Sequence, residues 1–138
     1  MRPLDEALAE LLAMALPLAE LEVVSTFDAD GRVLAEDLIS SLDVPGHDNS
    51  SMDGYALRSA DLATTDLLQV TQRIPAGSYG HALEPLAAAR IFTGAPIPPG
   101  ADAVVMQEDT EALTDSASVR LLSVPKAGQW IRRQGEDV

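Results

Sequence analysis

The sequence predicts a mainly β protein with one N-terminal helix, its strands closing into a small barrel or sandwich. Three observations carry this. Short apolar runs recur between clusters of Gly, Pro, Asn, Asp and Ser, the rhythm of a small all-β domain. Only one stretch, near the N-terminus, has a helical period. The chain is 46% hydrophobic but only 4% aromatic, so its core is built from Leu, Val, Ile and Ala.

The helix is read over residues 3–16. Leu4, Leu8, Leu11, Leu12 and Ala15 recur at i, i+4, i+7, i+8 and i+11, which makes one apolar stripe. Pro3 suits a first turn, Asp5 and Glu6 favour the positive end of the helix dipole, and Pro17 stops it. Val23-Val24 reads as a short extended piece, Asp28-Ala29-Asp30-Gly31 as a turn, and Val33 to Ile39 as a partly exposed strand or ribbon. Further strands are expected at Tyr55–Arg58, Leu67–Ile74, Ala103–Gln107, Ser118–Val124 and Gln129–Arg133. The segment Leu83–Ala89 is open between strand and helix, because Pro85 disfavours both a central strand and a long helix. Gly94 to Gly100, with three prolines and two glycines, reads as a rigid loop. Alternation along the last strand puts Trp130 beside Arg132.

With 138 residues the chain accommodates one domain or two small ones. Its formal charge is −13, and residues 1–66 carry 14 acids against 3 bases. Such acidity argues against duplex nucleic acid or an anionic membrane as partner, since both require a positive face. It is compatible with a divalent cation. There is no cysteine, so disulfide, thiolate and Cys-zinc chemistry are excluded. Asp5, Glu6 and Glu10 interrupt the first apolar stretch, so neither a signal peptide nor a membrane span is read, and a cytoplasmic location is the expectation. The final Gly135-Glu136-Asp137-Val138 lacks a capping pattern and a tail and reads as a cut.

The densest run is Pro45-Gly46-His47-Asp48-Asn49-Ser50-Ser51-Met52-Asp53-Gly54-Tyr55-Ala56. A polar loop so crowded, between strand-like segments, is where a binding site would sit. Residue types alone also allow a solvated turn whose Asx side chains bond their own backbone. Three other polar clusters stand at apparent strand ends: Thr93-Gly94-Ala95-Pro96, Gln107-Glu108-Asp109, and Arg132-Arg133 with Glu136-Asp137. Asp48, Asp53, Glu108, Asp109, Glu136 and Asp137 are the oxygen donors from which a hard cation such as Mg²⁺ would choose. With 22 acids, chance clusters are common, and most are solvated faces. Thr93-Gly94 would offer a hydroxyl and a closely approachable N–H to an oxyanion, or would be a simple loop. His47 and His81 lack partners at ligand spacing, and Ser50 and Ser51 lack an adjacent base.

Together these clusters resemble a known family. Residues 43–56, Arg90 to Glu108 and Gly128 to Asp137 resemble, in order and spacing, three motifs of the molybdopterin molybdenumtransferase family, the MoeA proteins and the gephyrin E domain. Gly31-Arg32-Val33-Leu34-Ala35 also fits. Ser51 and Phe92 stand where Ala and Met are common.

The resemblance implies a chain corresponding to the N-terminal part of a longer enzyme. It implies an N-terminal helix (1–17) that packs on a later domain. It also implies an elongated α+β ribbon domain I, built from 18–44 and 125–138, with a β-rich domain II (45–124) inserted in it. The implied reaction is Mg²⁺-dependent insertion of molybdate into adenylated molybdopterin, with loss of adenylate, in a cleft shared between two protomers of a homodimer. A molybdopterin adenylyltransferase is an implied partner. By the same resemblance Asp53, Thr93 and Asp137 would be catalytic, Asp48, Asn49, Ser50 and Gly94 would bind substrate, and Asp53 and Glu108 would hold the metal. The part represented here is expected to be inactive alone. The alternatives from other classes are a non-catalytic scaffold or partner-binding β-module and, third, a metal-assisted hydrolase.

Overall fold

A computed structural model describes residues 2–16, 20–113 and 116–138. The chain divides into two units, Met1–Ile39 and Ser40–Val138.

In the first unit a single helix, α1 (Leu4–Ala13), forms where the apolar period and the first-turn acids Asp5 and Glu6 predict one. It is shorter at both ends than the 3–16 reading. Pro17, the expected stop, lies outside the described residues. A one-turn 3₁₀ segment follows at Thr26–Asp28, where the Ser25 hydroxyl accepts the Phe27 N–H at 3.3 Å. The ribbon expected over Val33–Ile39 is not a strand, because no other described segment pairs with it. An apolar run without a ladder partner leaves its backbone groups to solvent. Among the described residues no helix is long and apolar enough to cross a membrane.

The second unit is a curled sheet. Its strands are β1 (Asn49–Ser50), β2 (Gly54–Leu57), β3 (Leu67–Ile74), β4 (Ala87–Ile91), β5 (Ala103–Met106), β6 (Thr110–Leu113), β7 (Ser118–Leu121) and β8 (Ile131–Arg132). Six of them form one sheet in the order β5-β2-β4-β3-β7-β6, and β1 pairs with β8 in a separate two-stranded ladder. All pairs are antiparallel except β3–β4. β5 and β6 are the two outer strands, yet only Gln107–Asp109 separates them in sequence. Three residues span at most about 14 Å between flanking Cα atoms. The sheet therefore bends until its edges meet at that corner, the partial closure of a small barrel.

Both faces of the sheet are covered. Tyr55, Leu57, Leu68, Ala88, Ala103, Val105, Val119 and Leu121 fill the inside of the curl. Ala56, Ile74, Leu83, Ala87, Ala89, Ile91, Ala95 and Val104 pack on the other side, under Ile97, Trp130 and Ile131. This is why β2 and β4 read as continuous apolar runs rather than alternating ones. Leu68 and Ile74 are six residues apart on one strand yet belong to opposite clusters. A bulge between Val70 and Gln72 inverts the alternation there.

The segment left open at Leu83–Ala89 becomes a loop followed by β4, with Leu86 at φ 61° just before the strand. β6 was not legible beforehand, since its residues are half exposed and mixed in character. The last strand shrinks to Ile131–Arg132 because Trp130 has φ 57°, so strand alternation does not place Trp130 beside Arg132.

Gly54 is the most closely packed of the glycines. A Cβ there would stand 1.9 Å from the Val105 carbonyl oxygen and 3.1 Å from the Met106 Cα. Gly54→Ala is expected to cost at least about 2 kcal/mol by overpacking against backbone, read as a lowered midpoint in urea unfolding. Gly46→Ala, with nothing within 4 Å of the added carbon, should stay within about 0.5 kcal/mol of the parent.

Candidate functional site

The four polar clusters converge at one end of the sheet. Residues 48–53 lead into β2, and their backbone is satisfied by three other segments. The Ser50 N–H donates to the Ala95 carbonyl (2.9 Å), and the Gly94 N–H returns to the Ser50 carbonyl (2.9 Å). The Ile97 N–H donates to the Asp48 carbonyl (2.9 Å), and the Ser51 N–H to the Trp130 carbonyl (2.9 Å). The Gln107 N–H reaches the Asp53 carbonyl at 3.0 Å. Asn49 faces Arg132 across the β1–β8 ladder and bridges to Pro96 on its other side.

Asp53 and Thr93 form a direct pair. One carboxylate oxygen, Oδ1, accepts both the Thr93 N–H (2.8 Å) and the Thr93 hydroxyl (2.9 Å). The N–H bond, then the hydroxyl bond, together with the charge of Arg90, outweigh partial desolvation and hold the Asp53 carboxyl below its ordinary value. Its Oδ2 makes no hydrogen bond to a described residue. Asp48 is engaged on both oxygens. Oδ1 accepts the Gln134 N–H (2.9 Å) and Oδ2 the Arg133 guanidinium (2.6 Å). The Gln134 N–H is the main reason its carboxyl also lies low, with Arg133 adding to it.

The C-terminal loop is held in turn. The Glu136 carboxylate accepts the Arg133 N–H at 2.8 Å, and the Asp137 N–H donates to the Val44 carbonyl at 2.8 Å. The Arg132 guanidinium pairs with the Asp137 carboxylate, which raises the Arg132 pKa further. Arg132 lines a recess of about 280 Å³ with Asn49, Ser50, Ser51, Thr93 and Gly94. Within it the Asn49 side-chain oxygen is buried and has no hydrogen-bond partner among the described residues. A buried acceptor left unpaired costs about 1–3 kcal/mol, which a ligand donor would recover.

Other expected roles look different in the fold. The Gly94 N–H donates to Ser50, so it is not free for an oxyanion; its φ of 80° is what the turn requires of a glycine. Ser50 is buried, and its hydroxyl donates to the Met52 carbonyl at 2.6 Å. Glu108 accepts only a 3.3 Å bond from the Gln107 amide. Among the described residues no group of three or more His, Cys, Asp or Glu is gathered as for a metal. His47 packs its ring 5.6 Å from that of Tyr79. Sequence reasoning did not single out Arg90, whose guanidinium bonds the Gly54 carbonyl (2.8 Å) and the Gln107 side chain (2.6 Å). Its signal in the sequence was its place at the head of the Arg90–Glu108 motif.

Fold and site together define a β-rich domain that presents paired carboxylates, a hydroxyl and a guanidinium around a recess at its strand ends. The chain belongs to the family described as the MoeA N-terminal region (domain I and II), whose profile matches residues 2–138. It is 40% identical over 139 residues to a molybdopterin molybdenumtransferase of Haemophilus influenzae, covering 100% of this chain and 34% of that protein. It is also 40% identical over 140 residues to molybdopterin molybdenumtransferase 2 of Mycobacterium tuberculosis, covering 97% and 33%. The crystal structure of a molybdopterin biosynthesis moeA protein from Pyrococcus horikoshii OT3 superposes with a TM-score of 0.77 at 36% identity, covering 99% of this chain and 37% of that one. The chain thus spans about a third of the length of the relatives it matches.

Two measurements check this geometry. In Thr93→Val the hydroxyl donor is lost and the larger backbone bond stays, so the Asp53 carboxyl should titrate higher than in the parent yet still below an unfolded aspartate, about 3.9. Carboxyl ¹³C shifts against pH report it. Because the folded pKa is depressed, this stabilisation is present above the unfolded value and is lost as pH falls through the folded one. Asp48→Ala should free the Gln134 amide to exchange with solvent and cost about 1 kcal/mol, a discounted value for a part-exposed charged hydrogen bond.

Proposed function

We propose that this chain supplies one wall of the site at which molybdate is inserted into adenylated molybdopterin, adenylate leaving as molybdenum cofactor forms. The observation that carries the reading is the recess flanked by two prepared carboxylates. Asp53 is oriented by Thr93 on one side, and Asp137 is paired with Arg132 on the other. A phosphorylated, metal-dependent substrate needs oxygen ligands, a hydroxyl and a cation arranged in this way.

In this reading Asp53 is the principal acidic group. Its free Oδ2 fits Mg²⁺, which keeps most of its waters and is held through one or two carboxylates plus substrate phosphates. Glu108 is the second candidate, since it directly follows Gln107, whose N–H bonds the Asp53 carbonyl. When bound, the cation supplies charge neutralisation for phosphate oxygens. Thr93 fixes the Asp53 rotamer and keeps lone pairs for a donor. Arg132, oriented by Asp137, directs its remaining N–H groups at an oxyanion. Asn49 offers its unpaired oxygen. Asp48, Ser50 and Gly94 shape the loop that carries them.

The domain division (18–44 with 125–138 as domain I, 45–124 as domain II, the 1–17 helix packing on a later domain), the shared cleft of a homodimer, the adenylyltransferase partner and the cytoplasmic location belong to the same proposal. Residues 1–138 without the remainder of such an enzyme should not turn over. A second reading, a partner-binding module, has one observation in its favour: an apolar recess of about 280 Å³ lined by Leu62, Asp66, Leu121, Leu122, Ser123 and Val124.

Asp53→Asn, placed in a full-length enzyme carrying this N-terminal sequence, separates the two. Cofactor formation should fall at least about a hundredfold, the scale of losing one electrostatic group from an active site, while the fold survives. Near-parental cofactor formation would sink the catalytic reading and leave the binding module.

A further inference from the structure

The chain carries 22 acids, and six of its eight arginines make ion pairs: Arg2, Arg32, Arg58, Arg120, Arg132 and Arg133. The two that make none with a described residue, Arg73 and Arg90, are register partners on the parallel strands β3 and β4. Their guanidinium carbons lie 4.6 and 4.5 Å from the centroid of the Phe92 ring, and that of Arg90 lies 5.3 Å from the Tyr55 centroid. Two guanidiniums without a carboxylate partner among the described residues thus share one aromatic ring, and the next residue is Thr93, the partner of Asp53.

The two arginines differ in how they are used. Arg90 is built in, with bonds to the Gly54 carbonyl (2.8 Å), the Ile91 carbonyl (3.1 Å) and the Gln107 side chain (2.6 Å). Its charge also acts on Asp53. Arg73 is exposed and makes no hydrogen bond or ion pair with a described residue. Its place follows from the bulge between Val70 and Gln72. Strict alternation from Leu68 would turn Arg73 to the opposite face. The bulge returns it to the face of Arg90, the re-aiming that bulges beside functional sites perform.

A guanidinium stacked on an aromatic ring is oriented at little further entropic cost, and its planar fork of N–H groups matches a tetrahedral oxyanion. We propose that Arg73, seated on Phe92 beside Arg90, is a docking point for a dianionic tetrahedral oxyanion next to the Asp53–Thr93 pair. This rests on the reading above only for the source of the oxyanion, which is either the phosphate of an adenylate or free molybdate.

The test titrates this chain with inorganic phosphate, AMP and molybdate at constant ionic strength, following ¹⁵N shifts of the Arg73 side chain and the Phe92 amide. Saturable shifts are expected with at least one anion. Arg73→Ala, an exposed position that should fold normally, should weaken that affinity at least tenfold. Arg73→Lys should recover part of it. Arg120→Ala, which loses only a pair with Glu111, should leave it unchanged. AMP binding well above phosphate assigns the site to the nucleotide, and equal binding of molybdate and phosphate assigns it to the free oxyanion. No saturable shift with any of the three, or equal affinity in the parent and Arg73→Ala, overturns the proposal. A chain that binds these anions while the full-length enzyme forms no cofactor would overturn the reaction instead and leave the anion site standing.

Discussion

The site depends on how the backbone of residues 48–53 is satisfied. A chain entering the centre of a sheet exposes N–H and C=O groups that must find partners once covered. Here they find them on three loops from distant parts of the sequence: 94–97, Gln107 and Trp130. The bonds that close this account also position candidate site side chains. The 94–97 loop brings Thr93 to Asp53. The Trp130 carbonyl and the short β1–β8 ladder bring Arg132 opposite Asn49. Asp48 then locks the far end of the C-terminal loop through Arg133 and Gln134. Backbone satisfaction and site assembly are one set of interactions, so neither is obtained without the other.

Charge follows the same logic. A chain at −13 works against itself unless its carboxylates have partners. At the site most of them do, and the partners are local. Asp48 and Asp53 are held ionised by N–H groups as much as by cations. Backbone donors have no flexible stem to immobilise, so they are more economical than a surface ion pair. The guanidiniums of Arg73 and Arg90 are thereby left to share aromatic faces rather than carboxylates.

Much of the architecture was legible in the sequence. The strands at Gly54–Leu57, Leu67–Ile74 and Ala103–Met106 are apolar runs bounded by turn residues, and they formed where the pattern put them. So did α1. The misses have physical reasons. β6 is a half-exposed edge strand, whose ladder is invisible in a pattern of burial. Val33–Ile39 is apolar enough for a strand but has no partner, and partnership is a property of the fold. Trp130 departs from alternation through a positive φ that no residue type announces. In the site, residue chemistry raised Asp48, Asp53, Thr93 and Asp137 as candidates among many acids and loops, and motif resemblance assigned roles to them and to Asn49. The bonds from Thr93 to Asp53 and from Gln134 to Asp48 join positions 40 and 86 residues apart, separations that no local pattern encodes.

What the site can do is bounded by the valences its own structure leaves open. Asp53 Oδ1 already accepts two bonds, both Asp48 oxygens are occupied, the Ser50 hydroxyl is turned to Met52, and the Gly94 N–H is engaged. Among the described residues the unengaged groups are Asp53 Oδ2, the Asn49 side-chain amide, the Ser51 hydroxyl, the lone pairs of the Thr93 hydroxyl and the outer N–H groups of Arg132. Donors and acceptors are both present, but the one cation among them, Arg132, is already paired with Asp137, and Asp53 adds a carboxylate. Such a set recognises donors and cations well and binds an anion weakly by itself. The phosphate-bearing substrate proposed for this recess would therefore need positive charge from elsewhere: a divalent ion on Asp53, the Arg73–Arg90 pair, or groups on a facing surface. That imbalance of charge is the physical reason the proposal gives these residues one wall of a site rather than the whole of it.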